Sequence, residues 1–188
     1  MIEIGAGGWQ LFVAIATLLA FVHAYRKLTP FFAVTWFGAG LVFGWFWTGH
    51  RSSPEAVLLP VLVVYLAAAV AKGIVERGAL AGNHLVHVLA AGVFGGLIAW
   101  PLESSARAMG WITPRGSALR LWPLGDHAWS AGVPPELLLQ WAVACTLFYG
   151  VYKLLDHIGL GATLQTLVLF GAMPFLPRLV EWVMGCFD

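Results

Sequence analysis

Six stretches of apolar residues follow one another along the chain, each long enough to cross a bilayer and separated from the next by a polar or proline-containing break. A spanning helix needs about 20 predominantly apolar residues. The stretches cover approximately residues 9–27, 31–48, 55–76, 80–102, 136–157 and 161–183. Thr29-Pro30 makes a tight break between the first two, and Pro174 and Pro177 predict a bend or break in the last. The expected fold is an all-α polytopic membrane protein. It is a single transmembrane domain over residues 1–188, a bundle of about six helices with both termini on the same side.

Composition agrees with this pattern. Hydrophobic residues are 60% of the 188 and charged residues 10%, against about 25% charged in soluble domains, and the mean hydropathy is +0.84. That is too little polar surface to cover a globule in water. The net charge of +1 gives no electrostatic case for nucleic acid. Cys145 and Cys186 fall within or at the end of apolar segments and read as buried thiols, not a disulfide framework. Met1-Ile2-Glu3 carries no basic residue before the first apolar run, and Arg26-Lys27 follows it. The first helix is therefore expected to stay as a span and not be cleaved as a signal peptide.

The one long connection, residues 103–135, contains Pro114, Pro123, Pro134 and Pro135 together with Trp111, Trp122 and Trp129. So much tryptophan argues for an ordered loop lying in the interface, with a short helix around residues 104–111 and the indoles packed on the ends of spans two, four and six. Threading the spans up and down puts Trp9, Trp45, Trp47, Trp100, Trp141, Trp182 and the loop tryptophans toward one face, with Trp36 nearer the other. Either this is an uneven aromatic belt or it marks an aromatic-lined cavity or docking surface. Arg26, Lys27, Lys72, Arg77 and Lys153 fall on the opposite face, in short turns where the positive-inside rule weighs most, so that face is assigned to the cytoplasm. A bacterial cytoplasmic membrane is the expected location.

Three groups of residues are candidates for chemistry. Gly40-x-x-x-Gly44 and Gly92-x-x-x-Gly96 remove side-chain volume, which permits close helix contact or a slot for a flat chain. A slot between spans two, four and five, rimmed by Trp45, Trp47, Trp100 and Trp141, would suit a long apolar ligand, with His50, Arg107 and Glu103 fixing its polar end. His84 and His87 share a helical face, and His23 is expected near the same interface, so the three could converge on a haem or metal. Otherwise they are interfacial histidines bonded to backbone or lipid. Among the acids, Glu103 and Glu55 are candidates for a proton donor whose pKa burial would raise. Glu103 with Arg107, and Arg178 with Glu181, are equally spaced for structural ion pairs. There is no glycine-rich phosphate loop, Gly-x-Ser-x-Gly elbow or His-Glu-x-x-His.

Some strings form a recognisable order. His23-Ala24-Tyr25-Arg26-Lys27 is followed by Phe43-Gly44-Trp45-Phe46-Trp47-Thr48-Gly49, then Met109-Gly110-Trp111, then Gly132-Val133-Pro134-Pro135-Glu136 through Trp141, then Leu147-Phe148-Tyr149-Gly150-Val151-Tyr152-Lys153. This order resembles the carotenoid biosynthesis membrane-protein family that includes the carotenoid hydratases, over residues 19–155. The resemblance implies a multi-span protein acting on long polyene or isoprenoid chains. The family's second-helix glutamate has no counterpart between Phe31 and Gly49, and its acidic fourth-helix motif matches the stretch that holds Glu103.

Three functions are then open: a binder or processor of a carotenoid, quinone or other isoprenoid; a non-catalytic subunit of a larger membrane complex; and a haem-binding electron-transfer subunit. The bilayer is the expected partner in each. Other membrane subunits or further copies of the chain are expected beside it.

Overall fold

The computed structural model describes residues 6–48, 54–78, 81–108 and 135–186. These form α1 (Ala6–Lys27), α2 (Pro30–Trp47), α3 (Pro54–Val75), α4 (His84–Ala108), α5 (Pro135–Ile158), α6 (Ala162–Ala172) and α7 (Leu176–Gly185), with a 3-10 turn (Met173–Phe175) joining the last two. Six spans result, because α6, the turn and α7 cross together. The protein is an integral, multi-pass, all-α membrane protein. The break in the sixth span lies at Pro174 and Pro177, where proline withdraws backbone donors.

Local chemistry sets the helix ends. Thr29 caps α2 by accepting a hydrogen bond from the Phe32 amide at 3.0 Å, and Pro30 occupies the first helical position. Asn83 caps α4, its Oδ1 accepting from the Leu85 and Val86 amides at 3.0 and 3.2 Å. The fourth helix therefore begins at His84, four residues later than the apolar pattern suggests. It also runs on through Pro101 to Ala108. Residues 104–108 continue α4 and are not the start of a separate short helix, because a proline inside a packed membrane helix costs one backbone bond without ending the helix. Within the spans, Thr17, Thr146 and Thr166 donate to the carbonyls of Val13, Ala142 and Ala162 one turn back, which hides each hydroxyl from lipid.

α3 is the centre of the bundle. It packs on α1, α2 and α4, and residues 59–65 are buried without a break, as a helix surrounded on all sides requires. α4 lies between α3 and α5, and α7 packs on α5. α4 shows how one helix serves two environments. Leu85, Leu89, Val93 and Leu97 form an exposed stripe four residues apart, facing lipid. His87, Ala91, Gly95, Ala99 and Glu103 form the buried stripe at the same spacing. Gly44 beside Val57, Trp47 beside Trp141, and His84 beside His157 show the up-and-down order directly.

Candidate functional site

The end of the bundle formed by the close of α2 and α4 and the start of α5 holds the sequence candidates that the structure brings together. Trp47 and Trp141 face each other with ring centroids 5.8 Å apart. Trp141 is buried, and its indole Nε1 has no hydrogen-bond partner. Glu103 is 8% exposed, the one buried acid among the described residues, at the outer end of the packed stripe of α4. The Oγ of Ser104 beside it is buried without a partner. Of these groups the structure brings Trp47 and Trp141 into direct contact.

The rim of the expected slot is different. Trp45 and Trp100 are 47% and 43% exposed and turn outward to lipid rather than inward to a cavity. Trp182 is also outward, whereas Trp9 is buried and stacks on Phe12. The indoles of this end thus divide between a lipid-facing belt and an interior pair. His50, the side chains of Glu55 and Arg107, and the loop tryptophans Trp111, Trp122 and Trp129 lie outside the described residues. So does the expected packing of residues 109–134.

The glycine slot is corrected. A Cβ on Gly40 would stand 3.1 Å from Val61, and one on Gly44 would collide with the Val57 carbonyl of α3. Gly92 and Gly96 face α5 instead: Gly92 meets Thr146 and the Ala142 carbonyl, and a Cβ on Gly96 would lie 3.1 Å from the Leu138 oxygen. Gly95 joins them against Cys145. The volume these glycines release is taken by neighbouring backbone and side-chain atoms, so they seal α2 to α3 and α4 to α5.

Between α2 and α5 there is no slot either. Phe32, Trp36, Phe43 and Trp47 of α2 meet Trp141, Phe148, Tyr149 and Tyr152 of α5 in a continuous column of rings. Trp36 sits 5.0 Å from both Phe148 and Tyr152, and Phe43 lies 5.8 Å from Phe148. Trp36, assigned by the sequence to the far interface, is 1% exposed inside this column. Its unpartnered Nε1 lies among ring faces, the environment that best tolerates an indole N–H without an oxygen acceptor. The sequence signal was present: these eight aromatics recur at helical spacing on one face of each helix.

Comparison with models of protein families, with curated proteins and with solved structures finds no match for this chain. Its chemistry must be read from its own residues.

The three-histidine convergence is also corrected. His23 of α1 bonds to Tyr65 of α3, Nδ1 to Oη, at 2.7 Å. His84 pairs with His157 of α5 across 5.8 Å. His87 is buried on α4, with Nε2 donating to the Ala81 carbonyl at 2.8 Å. α3 stands between α1 and α4 and keeps His23 from the other two. No group of three metal-ligating side chains occurs among the described residues. Among the described residues, ion pairs join Lys72 to Glu76 and Lys153 to Asp156 at the basic end. Arg178 and Glu181 are exposed and form no pair, since α7 turns both outward.

Proposed function

We propose that this membrane protein binds a long isoprenoid-type lipid, carotenoid- or quinone-like, by its polar end at the Trp47–Trp141–Glu103 end of the bundle. The observation that carries this reading is Glu103. A buried carboxyl at a membrane interface is costly and is retained where it pairs with a neighbouring group or serves a ligand or a proton transfer. The other buried polar residues among those described are Thr17, whose hydroxyl is bonded to backbone, Thr35, which bonds to Thr166, and His87 at the opposite end. The resemblance to the carotenoid biosynthesis family supports an isoprenoid ligand, with Glu103 the one acid where that family has an aspartate-rich fourth-helix motif. The packed α2–α5 column moves the ligand from the interior to this end, where indole faces and the carboxyl meet it from the lipid side. Glu103 anchors a hydroxyl or carbonyl head group there.

The deciding experiment is an absorption spectrum with lipid extraction of the protein purified in mild detergent. Polyene or quinone bands that co-purify in stoichiometric amount are the expected result. A Soret band would favour the electron-transfer subunit. A colourless chain that purifies only with other proteins would favour the non-catalytic subunit.

A further inference from the structure

At the opposite, basic end, a polar cluster faces lipid instead of the bundle. α1 packs inward through Val13, Thr17, Ala20 and Ala24. Its outward stripe is Phe12, Ile15 and Leu19, each nearly half exposed or more. His23 stands beside that stripe, and Arg26 and Lys27 close the helix three and four residues further on, so both cations lie over the imidazole. All three side chains are exposed. The ion pairs of this end use Lys72 and Lys153 with the acids on their own helices, and neither Arg26 nor Lys27 is in one.

The imidazole is oriented by a built contact. Tyr65 is 4% exposed on the central helix, and its Oη lies 2.7 Å from His23 Nδ1. With the buried phenol donating to Nδ1, the neutral ring carries its proton on Nε2; the protonated ring carries one there as well and donates from Nδ1 to the phenol oxygen. In both states the Nε2–H lies on the side of the ring away from Tyr65, on an exposed residue. An N–H facing hydrocarbon with no acceptor is costly. His23 lies four residues before Lys27, so it is about 6 Å deeper along the helix.

From the rim inward, this face presents two cations, then one N–H donor, then an exposed apolar stripe. We infer that this face of α1 binds an anionic glycerophospholipid. Its phosphate sits on Arg26 and Lys27, a glycerol ester carbonyl accepts from His23 Nε2, and an acyl chain lies along Leu19, Ile15 and Phe12. Tyr65 is a positioning residue that aims the imidazole. This inference is independent of the proposed isoprenoid site at the other end.

The test uses the full chain in detergent, given equimolar phosphatidylglycerol and phosphatidylcholine of matched chains, with retained lipid read by native mass spectrometry. The wild type should favour phosphatidylglycerol by roughly fivefold or more, the effect of one cation near an anionic headgroup. Arg26→Gln/Lys27→Gln should abolish that preference, and Lys153→Gln should leave it unchanged. The wild type should also retain diester over diether phosphatidylglycerol, because the ether lacks the carbonyl. His23→Leu should remove the ester–ether discrimination while keeping the charge preference, and Tyr65→Phe should weaken the discrimination. His23→Leu combined with Tyr65→Phe removes the imidazole without stranding a buried phenol, so its loss of the ester–ether discrimination decides the matter should either single change fold poorly. Equal retention of the two headgroups, or of ester and ether, by the wild type would overturn the inference. Displacement of the lipid by millimolar inorganic phosphate would overturn it too, by making phosphate alone the ligand.

Discussion

Gly44 of α2 lies against the main-chain carbonyl of Val57 on α3, and no side chain fits between them. Backbone contact of this kind draws two helices together in a solvent that gives apolar side chains no hydrophobic reason to associate. It makes the glycine a structural requirement, because the atom it would strike belongs to a helix backbone and cannot rotate away.

Gly44→Ala should therefore destabilise the protein by about 1–3 kcal/mol, the usual range for forced overpacking. Gly73→Ala, in the same bundle but with nothing within 4 Å of its Cβ position, should be neutral or stabilising by up to about 1 kcal/mol through helix propensity. Reversible unfolding in mixed micelles measures both. Equal effects of the two changes would show that the α2–α3 contact does not limit stability.

The ring column predicts a second contrast. Trp36→Ala empties the centre of the α2–α5 interface and should cost about 3–5 kcal/mol. Trp182→Ala changes a side chain that is 68% exposed to lipid and should fall within about 1 kcal/mol of the wild type. Trp36→Phe should be milder than Trp36→Ala, since the indole N–H has no partner to lose. Thermal unfolding in one detergent ranks the three variants.

The histidine geometry can be tested by cross-linking. With Cys186, which is exposed, replaced by serine, His84→Cys/His157→Cys should be joined by a short bifunctional maleimide. His23→Cys/His84→Cys should not, because α3 stands between those helices. Linkage of the second pair and not the first would restore the convergent histidine site.

Glu103 predicts the behaviour of the proposed ligand site. Glu103→Gln keeps the shape of the side chain but replaces one acceptor oxygen by an amide donor and removes the charge, so it should preserve the fold while reducing ligand co-purification several-fold. Glu103→Leu should abolish co-purification. Fluorescence of the Trp47–Trp141 pair and extraction of bound lipid supply the two readouts. Undiminished ligand in both variants would remove Glu103 from the site.

Six spans and their order were legible in the residues, because a bilayer reduces the problem to apolar length and the position of polar breaks. Thr29-Pro30 marked the start of α2, and Pro174 and Pro177 marked the break in the last span, because caps and prolines act on their own backbone. The reach of α4 past Pro101 was not legible, since neighbouring helices decide whether a proline ends a membrane helix. The glycines were legible as contact residues but not by partner: a Gly-x-x-x-Gly spacing states that something comes close, and only the packing names Val57 or Leu138. The same holds for the histidines. Counting along spans put His23, His84 and His87 at one depth, but depth is a single coordinate. Their separation lies around the bundle axis, and placing α3 at the centre decided it.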